Sequence, residues 1–404
     1  MGITRNDILE ARERIGGGVV TTPVVPALAL ADRVAGALHL KLESAQRTGS
    51  FKDRGALNRL LALSAEERTR GIVTASAGNH AQAVAYHGRR LGIPVTVVMP
   101  EHTPLVKVSN TQAFGATVHF HGETLSESMV EARRIEAEER RTLVHAFDDD
   151  RVIAGQGTIG LELLEQLPDV TAVVVPIGGG GLISGIAVAI KEVRPEVRIF
   201  GVEAAAAPSA LASRRAGQVV HIESTETIAD GIAVKRIGDR TFPLIERYVD
   251  DIVDVEESRI AAAVHLLLEH EKTLAEGAAA VPLAAIVDGK LPLREHDVVA
   301  MIVSGGNIDV SLLGRIIDRG LVADGRLARL AVTVRDRPGY LARLTRIVAE
   351  EGANVLDVAH ARAFADISVR DVDIEMQLET RGRAHMDAVV ERLRAAGFAV
   401  REAH

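Results

Sequence analysis

Lys52 stands in the segment Ser50-Phe51-Lys52-Asp53-Arg54-Gly55-Ala56. A lysine becomes a Schiff-base nucleophile when its pocket disfavours the ammonium form, and small or apolar neighbours can build such a pocket. The plainer alternative is a solvated cation on a helix face. A run of four glycines, Gly178, Gly179, Gly180 and Gly181, leads into Leu182-Ile183-Ser184-Gly185. A glycine run between a buried strand and a helix lets backbone N–H groups converge on a phosphate, aided by the helix dipole. Gly179, Gly181 and Ser184 also come within one residue of a dinucleotide fingerprint, with Glu203 placed roughly where a ribose-binding acid belongs. Ser184 replaces the third glycine there, which ranks a nicotinamide-dependent dehydrogenase second.

Other polar groups follow the same logic. His80 comes after Gly78 and Asn79 at an expected helix start, where a loop can hold a carboxylate or where the ring merely follows a capping turn. His119 and His121 share one strand face and read as surface residues rather than a metal pair. His265, Glu269 and His270 miss each helical zinc spacing by one residue.

Strands and helices must place these groups. Short apolar runs predict buried strands at 71–75, 95–99, 172–176, 198–202 and 298–303, separated by helical patterns at 82–91, 125–140 and 260–270. That alternation predicts a mostly parallel sheet with helices on both faces, and ligands gather at the carboxyl ends of such strands. Three of these ends carry small polar turns: Ser76-Ala77-Gly78-Asn79-His80, the glycine run, and Ser304-Gly305-Gly306-Asn307. Together they read as parts of one site.

Composition narrows the classes. With 404 residues, two or three units are expected. Aromatics make up 3%, so the cores must rest on Ala, Val, Leu and Ile. The net charge of -8 and the lack of a basic block argue against a nucleic-acid partner. No cysteine is present, which removes disulfides and thiolate chemistry and fits a cytoplasmic location. Arg5, Asp7, Glu10 and Arg12 leave no room for a signal peptide among them. Residues 170–190 carry no charge, but Pro176 and the four glycines break them into strand, turn and helix, so no membrane partner is expected.

Residues 318–325 look like a polar linker. Beyond them come a strand over 330–334, a turn at Asp336-Arg337-Pro338-Gly339 and a helix over 340–351. Strands over 354–362 and 371–379, a helix over 385–396 and a strand over 398–400 complete the order. That βαββαβ order is the ferredoxin-like arrangement.

Taken in order, the lysine segment, Ser76 to Gln82, the glycine run and Ser304 to Asn307 resemble the threonine/serine dehydratases of the tryptophan-synthase-β-like, fold-type-II pyridoxal phosphate enzymes. The C-terminal part, with Asp336 to Gly339 and Gly352-Ala353-Asn354, resembles an ACT domain. The resemblance implies an α/β catalytic domain over 1–320 built from two parallel-sheet subdomains, a linker over 321–326 and a regulatory domain over 327–404. It implies pyridoxal 5'-phosphate as cofactor and dehydration of L-threonine to 2-oxobutanoate and ammonia, with L-serine as a side substrate. By the same resemblance Lys52 holds the cofactor aldehyde and moves the Cα proton, and Phe51 packs near the ring. Asn79 meets the ring's 3-oxygen, Gly178 to Leu182 hold the phosphate, and Ser304 meets the pyridine nitrogen. Ser76, Gly78, Asn79 and His80 surround the substrate carboxylate. Gly339 and Asn354 would bind an amino-acid effector, with isoleucine the first candidate and valine a possible opposing ligand, in a homodimer or homotetramer. A serine racemase or a synthase of the same fold is the alternative within it. Asp53 departs from the apolar residue usual after the lysine. Ser209 stands where relatives that bind a divalent metal beside Glu203 and Ala207 carry Asp, so no metal is assigned.

Overall fold

Ala172–Pro176 is buried at every position and forms an inner strand of a six-stranded sheet. A short continuous apolar run behaves this way when both faces of a sheet are covered. The computed structural model describes residues 2–361 and 371–402, which fall into two compact units, 1–308 and 309–404.

In the first unit the larger sheet runs Val24–Pro26, Ala37–Leu42, Val298–Val303, Ala172–Pro176, Arg198–Ala204, Asp251–Val255. All its pairings are parallel except that of the outermost strand, where Pro26 sits at the edge and its missing N–H costs nothing. A second, wholly parallel sheet runs Thr117–Phe120, Val95–Met99, Ile72–Ala75, Thr142–Leu143. Each sheet has its own aliphatic core, with Val173, Ile183, Ile199 and Ile302 in one and Ile72, Val84, Val97 and Met99 in the other. The expected strands at 95–99, 172–176 and 298–303 keep their bounds, and the one from Arg198 extends to Ala204.

Two features position the site. The helices Asp150–Gln166 and Gly181–Lys191 meet at glycines: a Cβ on Gly185 would lie 2.4 Å from the Ile153 carbonyl oxygen. Only glycine allows that approach, which sets the helix behind the glycine run. The helix Lys52–Leu61 is anchored by Arg54, fully buried, whose guanidinium donates to Glu43 at 2.8 Å and to Glu162 at 2.6 Å. Lys41 Nζ completes the cluster, 2.5 Å from Glu162. Two cations face two carboxylates, so the buried charges balance; removing one partner would cost roughly 3–5 kcal/mol.

The second unit is an antiparallel sheet in the order Asn354–Ala361, Asp371–Glu379, Leu327–Arg335, Ala399–Glu402, with helices Tyr340–Glu350 and Arg383–Ala395. This is the expected βαββαβ order; Arg362, given to the second strand, lies outside the described residues. The linker expectation fails at its start. A helix spans Val310–Ala323, capped by Asp309, and clusters with the second unit, so the break lies at 308/309 and only Asp324 to Arg326 connect helix to strand. Leu312, Leu313, Ile316 and Ile317 continue a helical stripe, and two glycines, Gly314 and Gly320, cost about 1 kcal/mol each without ending it. Among the described residues no helix is long and apolar enough to cross a membrane.

Candidate active site

Lys52 opens its helix directly after Phe51, and its Nζ donates to the Ala146 carbonyl at 2.8 Å. The amine lies 5.0 Å from the centre of the Phe51 ring. Burial pushes its pKa down to about 8, against the attraction of the Glu276 carboxylate, which raises it. An amine so placed is partly free base near neutrality, as a nucleophile requires.

Three chain segments are laced together around it. Phe51 N donates to Ser304 O at 3.0 Å, Ser50 and Gly305 form an antiparallel bridge, and Gly306 N donates to Gly49 O at 2.9 Å. This hairpin-like contact ties the turn after Val298–Val303 to the residues before the lysine, and it brings buried Ser304 beside Phe51. Asn307 Nδ2 donates to Thr48 O at 2.7 Å and to Asn79 Oδ1 at 2.8 Å.

Asn79 begins the helix Asn79–Leu91, three residues earlier than its apolar pattern implies. The turn before it is preset by Gly78 N donating to Ser76 Oγ at 3.3 Å. First-turn amides of a helix have no intrahelical partner and suit a carboxylate. The His80 ring turns away from this duty. It is buried, its Nε2 lies 3.1 Å from Val144 O, and burial with the nearby Lys52 charge lowers its pKa to about 3. A neutral ring on a carbonyl leaves His80 only its backbone N–H for an anion.

The glycine run caps the helix Gly181–Lys191, with Gly180 at φ +90°. A Cβ on Gly179 would lie 2.2 Å from the Phe147 ring, so no other residue fits. The carbonyl of Gly179 is held by Thr241 Oγ1 at 2.7 Å and the Gly238 N–H at 3.3 Å. With its oxygens engaged this way, the loop keeps its amides for an anion at the helix N-terminus. Phe147 follows Ala146, so one short stretch touches both the lysine amine and the phosphate loop. A half-buried amine, a ring beside it and an amide cradle fit a phosphorylated aldehyde.

Sequence reasoning missed Glu276. It is buried 197 residues from Asn79 in the chain, and both its carboxylate oxygens accept from Asn79 Nδ2. Burial raises its pKa to about 7, aided by Asp230; Asn79's donation and the charges of Lys107 and Lys52 oppose. Asp53, the departure after the lysine, accepts from Thr48 N at 3.1 Å and Thr48 Oγ1 at 2.6 Å, and so shapes the turn before Lys52. Glu203 accepts from Ala210 N and Leu211 N at 2.8 Å each, capping the helix Ser209–Ala216. Its carboxylate is engaged there rather than poised for a ribose. Gly339 and Asn354 lie in the second unit; Gly339 caps Tyr340–Glu350 at φ +95°, and Asn354 Nδ2 is 3.3 Å from Glu379.

Residues 15–305 match the family of pyridoxal-phosphate dependent enzymes, and residues 328–398 match the ACT domain. Over 399 residues the chain is 48% identical to an L-threonine ammonia-lyase of Thermotoga maritima, covering 99% of both. The processed form of threonine deaminase isoform 2 from Solanum lycopersicum superposes with TM-score 0.72 at 36% identity, over 78% of this chain and 94% of that one. A maize serine racemase superposes with TM-score 0.75 at 36% identity, over 80% of this chain and 99% of that one.

Proposed function

The chain belongs to the pyridoxal-phosphate dependent enzymes and carries an ACT domain, and on that footing we propose that it converts L-threonine to 2-oxobutanoate and ammonia under amino-acid control. The observation that carries this reading is the coincidence of the half-buried Lys52 amine with the amide cradle at Gly178 to Leu182, joined through Ala146 and Phe147.

When bound, the pyridoxal ring supplies an electron sink for the pair left as the Cα–H bond breaks. Lys52 would hold the aldehyde carbon of the cofactor, and its amine would take the Cα proton of the substrate. The glycine amides grip the phosphate. The amides of Asn79 and His80, with Ser76 and Gly78, hold the substrate carboxylate at the helix start. Asn79 meets the 3-oxygen of the ring. The Ser304 hydroxyl would meet the ring nitrogen without giving it a full positive charge, a weaker sink that would favour loss of the β-hydroxyl as water. The enamine released hydrolyses in solution to the 2-oxoacid and ammonia. L-serine, lacking only the γ-methyl, would give pyruvate as a side reaction.

The C-terminal unit senses an amino acid at Gly339 and Asn354, with isoleucine as inhibitor, in a cytoplasmic homodimer or homotetramer. The test is to incubate holoenzyme with L-threonine and follow 2-oxobutanoate and ammonia, while chiral analysis follows D-allo-threonine, the Cα epimer. Stoichiometric 2-oxoacid is expected. Epimer formation without 2-oxoacid would favour a racemase.

A further inference from the structure

The strand Thr117–Phe120 is the edge of the four-stranded sheet, and the chain leaves it at His121. Residues two apart on extended chain share a face, so His119 and His121 point the same way. Their rings are near parallel, 13° apart with centroids at 6.4 Å. Thr124 and Glu127 form a capping box that starts the helix Leu125–Glu139 after a short connection. Almost two turns into that helix, Glu131 comes back over the strand. His119 Nε2 lies 3.1 Å from Glu131 Oε1, and one atom from each of His119, His121 and Glu131 lies within 4.8 Å of the others. The Glu131 side chain is 7% exposed while that of His119 is 44% exposed, so the group is open on one side.

From this convergence we propose that His119, His121 and Glu131 form a binding site for a divalent transition ion of the zinc class. Two imidazoles and one carboxylate are a donor set that suits zinc, and a fourth, solvent-facing position would take water. Bond lengths of about 2.0–2.1 Å require the three donors to draw in slightly, which exposed histidine side chains can do. At present the carboxylate is served by another cation. Arg134 donates to it from Nε at 2.8 Å and from Nη2 at 2.7 Å, and also pairs with Glu138. Arg134 is 49% exposed and can swing to Glu138 as the ion enters. The ion would staple the edge strand to its helix and cover an open sheet edge. The site lies outside the residues assigned to catalysis, so it stands independently of the reaction proposed above.

The test is zinc titration of the untagged, chelator-washed full chain against a chromophoric zinc indicator. One zinc per chain is expected to bind. His119→Ala and His121→Ala should each weaken that binding at least about tenfold, the cost usual for losing even an outer partner of a metal. Arg134→Ala should tighten it, by up to about fivefold, because a competing surface ion pair is removed. Unchanged affinity in the double variant His119→Ala/His121→Ala would place the zinc on other histidines and overturn the proposal. So would weaker binding in Arg134→Ala, since the guanidinium would then be supporting the site and not competing for it. Circular dichroism of each variant, matched to the parent, separates loss of a ligand from loss of fold.

Discussion

Asn79 donates its side-chain amide to both oxygens of Glu276, at 2.8 and 3.0 Å, and accepts from Asn307 on its own oxygen. The asparagine assigned to the cofactor's 3-oxygen is therefore held from two sides by residues far away in sequence. The buried carboxyl behind it has a pKa of about 7, raised from an ordinary 4.5. A raised carboxyl favours the fold while protonated, so its contribution is complete below about pH 4.5 and is lost as pH rises through about 7.

Glu276→Gln should abolish that loss. Between about pH 5 and about pH 8 the parent should lose up to roughly 3 kcal/mol relative to the variant, an order-of-magnitude figure from the size of the shift. Denaturant unfolding of cofactor-free protein across that range measures it. Parallel curves would mean the carboxyl titrates normally.

Lys52→Ala should fold but carry no cofactor that borohydride can fix, and its turnover should be undetectable. In the parent, the free amine captures the aldehyde, and with a pKa of about 8 its rate of capture should climb as pH rises through that value. Absorbance on mixing apoprotein with pyridoxal phosphate follows this. Full activity in Lys52→Ala would sink the reading of the site.

Ser304→Ala should keep the cofactor, since the glycine cradle and Lys52 are untouched. A buried ring nitrogen without its partner costs about 1–3 kcal/mol, so kcat/KM should fall roughly 5- to 150-fold. An unchanged rate would mean that the ring nitrogen is held by another group.

Chelator treatment should leave turnover largely intact. The Glu203 carboxylate is already capping the helix Ser209–Ala216, and Ser209 offers no carboxylate beside it. Strict dependence on added magnesium or calcium in a steady-state assay would contradict this.

Ending the chain after Ile308, where the first unit closes, should leave a catalytic core, because every residue assigned to the reaction precedes that point. Allosteric coupling is typically worth about 1–3 kcal/mol, so isoleucine should shift apparent threonine affinity in the full chain by roughly 5- to 150-fold. The truncated core should show hyperbolic kinetics and no response. An isoleucine effect that survives truncation would place the effector site in the first unit.

Local patterns carried much of this in the sequence alone. Ala172–Pro176 and Val298–Val303 are continuous apolar runs that only buried strands explain, and the glycines after one of them admit little besides close backbone approach. The second unit's βαββαβ order follows from alternating and helical periods that need no partner to be read. Short elements such as Thr142–Leu143 are too brief to show a period. The helix through Gly320 was obscured by a polar, glycine-containing end that resembled a linker.

Tertiary structure alone decided the polar framework. Glu276 reaches Asn79 across 197 residues, Asn307 reaches it across 228, and Arg54 finds Glu162 across 108. His80 looked like a carboxylate ligand by its place in the turn, yet its ring faces Val144. A glutamate's chemistry is the same at each of its positions in the chain. What makes one of them a clamp is burial beside a particular amide, and here that burial is set where turns from the two sheets of the first unit meet.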